Sequence, residues 1–143
     1  MHHMQFDGKP DEEQLQQVVR HLISKHKVAP SQIKKDAFLT FDENYKLLVM
    51  SSFLTEEQAH NAVYIHHPDI VIFDVRKIKL IIEVDGSIHK SKSGIKRTEK
   101  RNFNYDESKI PYIILDLEDL KYSGTDWLDY LDQQMDFLVK NGQ

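Results

Sequence analysis

Residues 68–85 have the sequence PDIVIFDVRKIKLIIEVD, in which two apolar runs flank a short basic segment. The runs Asp69–Asp74 and Ile78–Asp85 are rich in β-branched residues and predict two β-strands. Pro68 suits the first position of a strand, and Gly86 ends the second run. Residues 75–77 predict a tight turn, so we expect the two strands to pair as an antiparallel hairpin.

Three acidic side chains of this hairpin are expected on one face of the sheet. Side chains alternate along a strand, so Glu83 and Asp85 point the same way. The opposite, inward-packing face is expected to carry Ile78, Leu80, Ile82 and Val84. With a turn near Arg76, paired residue numbers sum to about 152, which sets Asp69 opposite Glu83, or opposite Asp85 after a slip of two. In either register the three carboxylates lie within about 5 Å of a neighbour.

Carboxylates this close together predict a divalent cation. Like charges that face each other across a sheet repel, so a purely structural sheet would avoid them. Mg²⁺, or Mn²⁺ in its place, takes oxygen ligands and is typically held by one or two carboxylates, with waters and substrate phosphate completing its shell. The alternative is that the acids only solvate the strand ends, in a different register.

His89 follows Asp85 by four residues, behind Gly86. Glycine permits a sharp turn that would bring the imidazole back over the acids, where a pKa near neutrality suits a general acid or base. An exposed loop histidine is the alternative. His66 and His67, just before the first strand, are expected on the rim of the site rather than among metal ligands.

The rest of the chain predicts a single α/β domain over residues 1–143, with residues 1–8 disordered or left over from cloning. The other predicted elements are a helix to about Lys27, a hairpin over 37–50, a short helix at 55–58, a helix over 95–108, a strand over 112–115, and a last helix with the apolar stripe Leu128, Leu131, Met135 and Leu138. This order predicts a mixed central β-sheet flanked by α-helices.

Basic residues are concentrated in one part of a chain whose net charge is -4. Ten basic and five acidic residues lie between Arg76 and Lys109, which indicates a face that meets an anion, unless this is an ordinary solvated helix. The predicted nucleic-acid-binding stripe consists of Lys96, Arg97, Lys100 and Arg101, extended along the preceding loop by Lys90 and Lys92. Ile95 and Phe103 are expected to anchor the other side of the helix.

Composition excludes several classes of protein. The chain has no cysteine, which excludes disulfides and thiolate metal sites. It has no apolar run long enough for a membrane span and no signal-peptide pattern, so we expect a cytoplasmic protein with no membrane partner.

The pair Pro68-Asp69 followed by Glu83-Val-Asp85 resembles the PD-(D/E)XK nuclease superfamily, with Asp85 where that pattern usually has lysine. The longer segment EVDGSIH, from Glu83 to His89, together with the basic helix and IPYIIL after it, is most similar to the Vsr-like (very short patch repair endonuclease-like) domains. The resemblance covers residues 66 to 116.

This resemblance implies a restriction-endonuclease-like fold and Mg²⁺-dependent cleavage of DNA phosphodiester bonds. It implies that Asp69 is the principal metal ligand, that Glu83 and Asp85 are secondary carboxylates, and that His89 is the general acid or base. RNA is an alternative substrate. There are two alternative functions. The first is a catalytically weak or inactive nucleic-acid-binding module of a larger restriction or repair assembly, and the second is a domain that binds no nucleic acid. A homodimer or a partner subunit would give access to both strands.

The family also places a glutamate on its first helix. Glu12 matches better than Glu13, because it lies three and seven residues before Leu15 and Val19 and is therefore expected to point inward as a further catalytic residue. The family's later acid near an arginine has its nearest counterpart in Glu99 and Arg101.

Overall fold

The computed structural model describes residues 12–35, 37–44, 47–50, 60, 62–74, 77–86 and 92–140. The elements in chain order are α1 (Glu12–Ser24), a 3₁₀ turn (Pro30–Gln32), β1 (Ile33–Lys35), β2 (Leu39–Phe41), β3 (Leu47–Met50), β4 (Tyr64–His66), β5 (Ile70–Asp74), β6 (Lys77–Asp85), α2 (Lys92–Glu107), β7 (Tyr112–Asp116), α3 (Leu117–Ser123) and α4 (Trp127–Lys140). The predicted mixed α/β architecture is confirmed.

The central sheet has the strand order β1-β5-β6-β7. Strand β5 pairs antiparallel with both β1 and β6, whereas β6 and β7 are parallel. The chain between β6 and β7 therefore has to cross over, and α2 lies in that connection. The predicted register of the β5–β6 hairpin is confirmed, since Ile70 pairs with Ile82 and Ile72 with Leu80.

A β-bulge shifts that register at the start of β6. Ile72 pairs with Leu80 but Phe73 pairs with Ile78, so Lys79 is an extra residue on β6. The bulge turns Ile78 to the same side of the sheet as Ile81, where both join one apolar cluster. The prediction that Ile78 shares a face with Leu80 is therefore wrong.

Helices cover one face of the central sheet, and a helix with a second sheet covers the other. On the first face, Leu22 of α1 and Leu131 of α4 are buried in one core cluster with Ile82. The predicted apolar stripe of α4 is confirmed, because Leu131 is buried and the other three members pack against this cluster. On the second face, Tyr105 of α2 packs with Phe41 of the small sheet, whose strand order is β3-β2-β4.

The predicted hairpin over 37–50 is confirmed as the antiparallel pair β2–β3. Strands β1 and β4, of three residues each, and helix α3, of seven, are too short for sequence periodicity to reveal. The predicted short helix at 55–58 lies outside the described residues. Within the described part of the chain, no helix combines the length and apolar character needed to cross a membrane.

Candidate metal centre

The three predicted acids come together at the carboxyl end of β6. One carboxylate oxygen from each of Asp69, Glu83 and Asp85 lies within 4.8 Å of the others. Asp69 directly precedes β5 and is held against β6 from both sides. Its backbone N–H donates to Glu83 Oε1 at 3.3 Å, and its Oδ2 accepts from the Val84 N–H at 2.7 Å. The acids are thus positioned by the same hairpin register that orders the core.

Burial makes this cluster costly to ionise. Glu83 and Asp85 are buried, each with 3 % of its surface exposed. Burial raises the pKa of Asp69, and it raises the pKa of Glu83 to about 8, with further upward contributions from Asp69 and Asp85 and an opposing one from Arg101. Without a bound cation, the Glu83 carboxyl therefore retains a proton near neutral pH.

Arg101 belongs to this cluster and not to the outer stripe where the sequence predicted it. Its Nη1 and Nη2 donate to the two oxygens of Asp85 at 3.2 and 3.1 Å, and its Nε lies 3.9 Å from Glu83 Oε2. Only 11 % of its side chain is exposed. This bidentate pair fixes Asp85 and supplies one positive charge to the three carboxylates.

Helix α2 buries a different face from the one that its apolar residues predict. Ile95 and Phe103, the predicted anchors of the helix, are 44 % and 48 % exposed. Among the α2 residues whose burial is described, the buried ones are Gly94, Asn104 and Tyr105, with Arg101 beside them. These positions follow helical spacing, but the inward set is largely polar, so hydrophobicity alone selects the wrong side.

The other members of the predicted stripe are on the surface where they can be described. Lys96, Arg97 and Lys100 are exposed, and the Lys100 ammonium lies 5.2 Å from the centre of the Tyr64 ring. Lys92 begins α2, but its side chain lies outside the described residues, as does Lys90 entirely.

Tyr105 is a site residue that the sequence interpretation missed. Its ring is fully buried, and its hydroxyl donates to Glu83 Oε2 at 2.7 Å. Burial and the adjacent Glu83 raise the pKa of this hydroxyl, so it stays protonated and remains a donor. The i, i+4 spacing of Arg101 and Tyr105 is the one sequence signal that would have grouped them.

Asn104 and His66 form a second polar pair on the inner side of α2. The Nδ2 of the fully buried Asn104 lies 2.5 Å from His66 Nε2, and within the described residues its Oδ1 has no hydrogen-bond partner. Burial, then Arg101 and Lys100, lower the pKa of His66, which favours the neutral ring. His67 is exposed, with its ring centre 4.2 Å from that of Phe38.

Glu12 does not point inward. Its side chain is 62 % exposed, pairs with the Lys35 ammonium and accepts from Gln16 Nε2 at 3.3 Å. Helix α1 buries Leu15, Val18 and Leu22, and at 3.6 residues per turn position 12 lies roughly 90° away from the centre of that stripe. His89, the predicted general acid or base, lies outside the described residues.

The donor set at the acid cluster fits a hard divalent cation. With every group ionised, the three carboxylates carry two more negative charges than Arg101 balances, in a buried environment. Oxygen donors of this kind suit Mg²⁺ or Mn²⁺, and a divalent ion would supply the missing charge.

Comparison of the chain with protein-family models, with curated proteins and with solved structures finds no match. The chemistry of the acid cluster is therefore the basis on which a function can be inferred.

Proposed function

We propose that this chain is a metal-dependent endonuclease that hydrolyses DNA phosphodiester bonds, with a restriction-endonuclease-like fold. The supporting observation is the convergence of three carboxylates, two of them buried, beside Arg101. In a sheet with a purely structural role such a group would only lower the stability of the fold, since each unpaired buried charge is unfavourable.

Asp69 and Glu83 would hold the cation, with Asp85 as a third oxygen donor. When bound, Mg²⁺ supplies positive charge that stabilises the developing charge on a phosphoryl group. The Tyr105 hydroxyl orients Glu83, and Arg101 orients Asp85, so the carboxylates are set before the ion arrives. His89 remains the predicted group for proton transfer.

DNA is the proposed substrate because basic side chains lie on the helix that also carries Arg101. Lys96, Arg97 and Lys100 are exposed on α2, where they can contact phosphates without belonging to the metal centre. A domain of this size reaches both strands of a duplex most easily as a homodimer or beside a partner subunit. A chain without cysteine needs no oxidising compartment, and we propose that it acts in the cytoplasm.

Cleavage of supercoiled plasmid tests the proposed function. We expect nicked or linear product with Mg²⁺ or Mn²⁺ and none with EDTA. Asp69→Asn keeps an acceptor for the Val84 N–H but removes the charge, and we expect it to lower the rate at least about 100-fold. Asp74→Asn is the matched control, because Asp74 is exposed at the other end of β5. Absence of metal-dependent cleavage of supercoiled, linear and branched DNA would contradict the proposal, and cleavage of RNA alone would correct the substrate.

The basic surface gives a second prediction, read from the salt dependence of DNA binding. The triple variant Lys96→Ala/Arg97→Ala/Lys100→Ala is expected to weaken binding and to flatten the plot of log affinity against log salt by about 0.9 for each phosphate that the variant no longer neutralises. Lys34→Ala, an exposed lysine of β1, should leave the slope unchanged. An unchanged slope in the triple variant would remove α2 from the DNA interface.

A catalytically weak or inactive nucleic-acid-binding module is the second candidate. It is favoured by one observation, the bidentate pair between Arg101 and Asp85, which already occupies both oxygens of one proposed ligand. Salt-dependent DNA binding without turnover, and with no change on adding Mn²⁺, would support this candidate over the nuclease.

A further inference from the structure

A second cluster of potential metal ligands lies on the opposite face of the central sheet from the acids. His21 in the last turn of α1, His26 just after the helix and Asp132 of α4 bring one ligand atom each within 4.8 Å of one another. Their sequence neighbours Leu22 and Leu131 belong to the core cluster on the α1 and α4 side, whereas Tyr105, which binds Glu83, belongs to the cluster on the α2 side. The two groups are therefore separate sites.

Both imidazoles converge on a single atom. The Nε2 of His21 and the Nε2 of His26 each lie 2.7 Å from Asp132 Oδ1. The second oxygen, Oδ2, accepts from the Lys25 ammonium at 2.7 Å. An ordinary ion pair would be complete with Lys25 alone, and it does not require two histidine rings on the remaining oxygen.

The chain takes up an unfavourable backbone conformation where it carries His26 to this position. Lys27 has a left-handed backbone, with φ of 57°, which glycine or asparagine usually adopts at the end of a helix. The chain then turns back, so that the Val28 N–H donates to the Leu22 carbonyl at 3.1 Å and Val28 packs on the core. This turn fixes His26 beside α4.

We propose that His21, His26 and Asp132 form a zinc site that ties the end of α1 to α4. Two imidazoles and a carboxylate are ligands that Zn²⁺ accepts, and three protein ligands leave a fourth position for water. At bond lengths of about 2.0–2.1 Å, tetrahedral ligands lie about 3.3 Å apart. Each Nε2 would therefore move about 0.6 Å away from Asp132 Oδ1 to reach that separation.

The ligands are accessible. The side chains of His21, His26 and Asp132 are 20 %, 16 % and 13 % exposed, so an ion can enter from solvent. Lys25 is mostly exposed and can release Oδ2 when the ion binds.

Zinc titration of the full chain tests the site, in a His2→Ala/His3→Ala background that removes the two histidines at the start of the sequence. After treatment with EDTA and dialysis, we expect calorimetry to show one tightly bound Zn²⁺ per chain and thermal unfolding to shift upward with zinc. Loss of a group that merely orients a ligand weakens metal binding 10–100-fold, so losing a ligand should cost at least about 100-fold.

The variants His26→Gln and Asp132→Asn separate a zinc site from a polar contact. Glutamine still donates to Asp132, so His26→Gln should keep the melting temperature of the zinc-free protein and lose the zinc-induced rise. Asp69→Asn, in the other cluster, should still bind one zinc ion. Absence of zinc binding in the background protein, unchanged binding in both ligand variants, or loss of binding in Asp69→Asn would each overturn the proposal.

Discussion

Glu83→Gln is expected to raise the melting temperature of the metal-free protein and to abolish its metal-dependent cleavage of DNA. The two effects share one cause. Glu83 is buried beside Asp69 and Asp85, and these surroundings raise its pKa to about 8. The negative charge on Glu83 that would bind the cation therefore destabilises the folded protein when no metal is present.

Glutamine closely mimics the protonated form of this side chain. Its amide oxygen can still accept from the Tyr105 hydroxyl, which lies 2.7 Å from Glu83 Oε2, and it carries no charge. Since each pKa unit corresponds to about 1.4 kcal/mol, the native carboxyl at pH 8 costs several kcal/mol relative to the amide. We expect a rise in melting temperature of at least about 5 °C at pH 8.

Thermal unfolding in EDTA and plasmid cleavage in Mn²⁺ measure the two effects on the same preparations. Glu107→Gln, at an exposed position of α2, should change neither. A Glu83→Gln protein that cleaves DNA at the wild-type rate would remove Glu83 from the metal centre. A variant that is less stable than wild type at pH 8 would show that the charge of Glu83 is already compensated.

The metal-free protein is also expected to lose stability as the pH rises from about 4.5 towards 8. The unfolded chain releases the Glu83 proton near the ordinary pKa of 4.5, whereas the folded protein retains it until about pH 8. Between these values the folded state binds more protons, so raising the pH favours unfolding. The raised pKa of Asp69 also makes the folded protein less stable as the pH rises. The lowered pKa of Asp132 affects stability only below this pH range.

Melting temperatures measured from pH 4.5 to pH 8.5, with EDTA and with Mn²⁺, test this linkage. In EDTA the melting temperature should fall across the range, and the slope should be smaller in Glu83→Gln. Mn²⁺ should remove much of the loss, because the ion binds the deprotonated site of the folded state. A flat wild-type profile in EDTA, or one unchanged by Mn²⁺, would contradict a buried cation-binding cluster.

The hairpin that carries Asp69 and Glu83 was predictable because it depends on local rules. Alternation of side chains and a short turn determine both the register and the face of each acid, and the observed pairs agree with the predicted sum of residue numbers. The exception, Ile78, follows from a bulge, which changes the face without any distinctive change of composition.

The roles of Arg101 and Glu12 were not predictable in the same way, because each depends on which side of a helix is buried. Hydrophobicity favours burying Ile95 and Phe103, but the buried carboxylates require a cation and a hydroxyl opposite them, and Arg101 and Tyr105 meet that need. In α1 the apolar stripe is broad enough at Leu15 and Val19 to leave the orientation of Glu12 undecided from sequence. The position of Arg101 is determined by its electrostatic partners in the folded protein. The position of Glu12 is determined by its ion pair with Lys35, which is distant in sequence.

A crystal soaked in Mn²⁺ and measured for anomalous scattering tests the metal centre most directly. The proposed function predicts an anomalous peak between the carboxylates of Asp69 and Glu83, at about 2.0–2.2 Å from an oxygen of each. A crystal at saturating Mn²⁺ with no peak there, and with Arg101 still paired with Asp85, would contradict it.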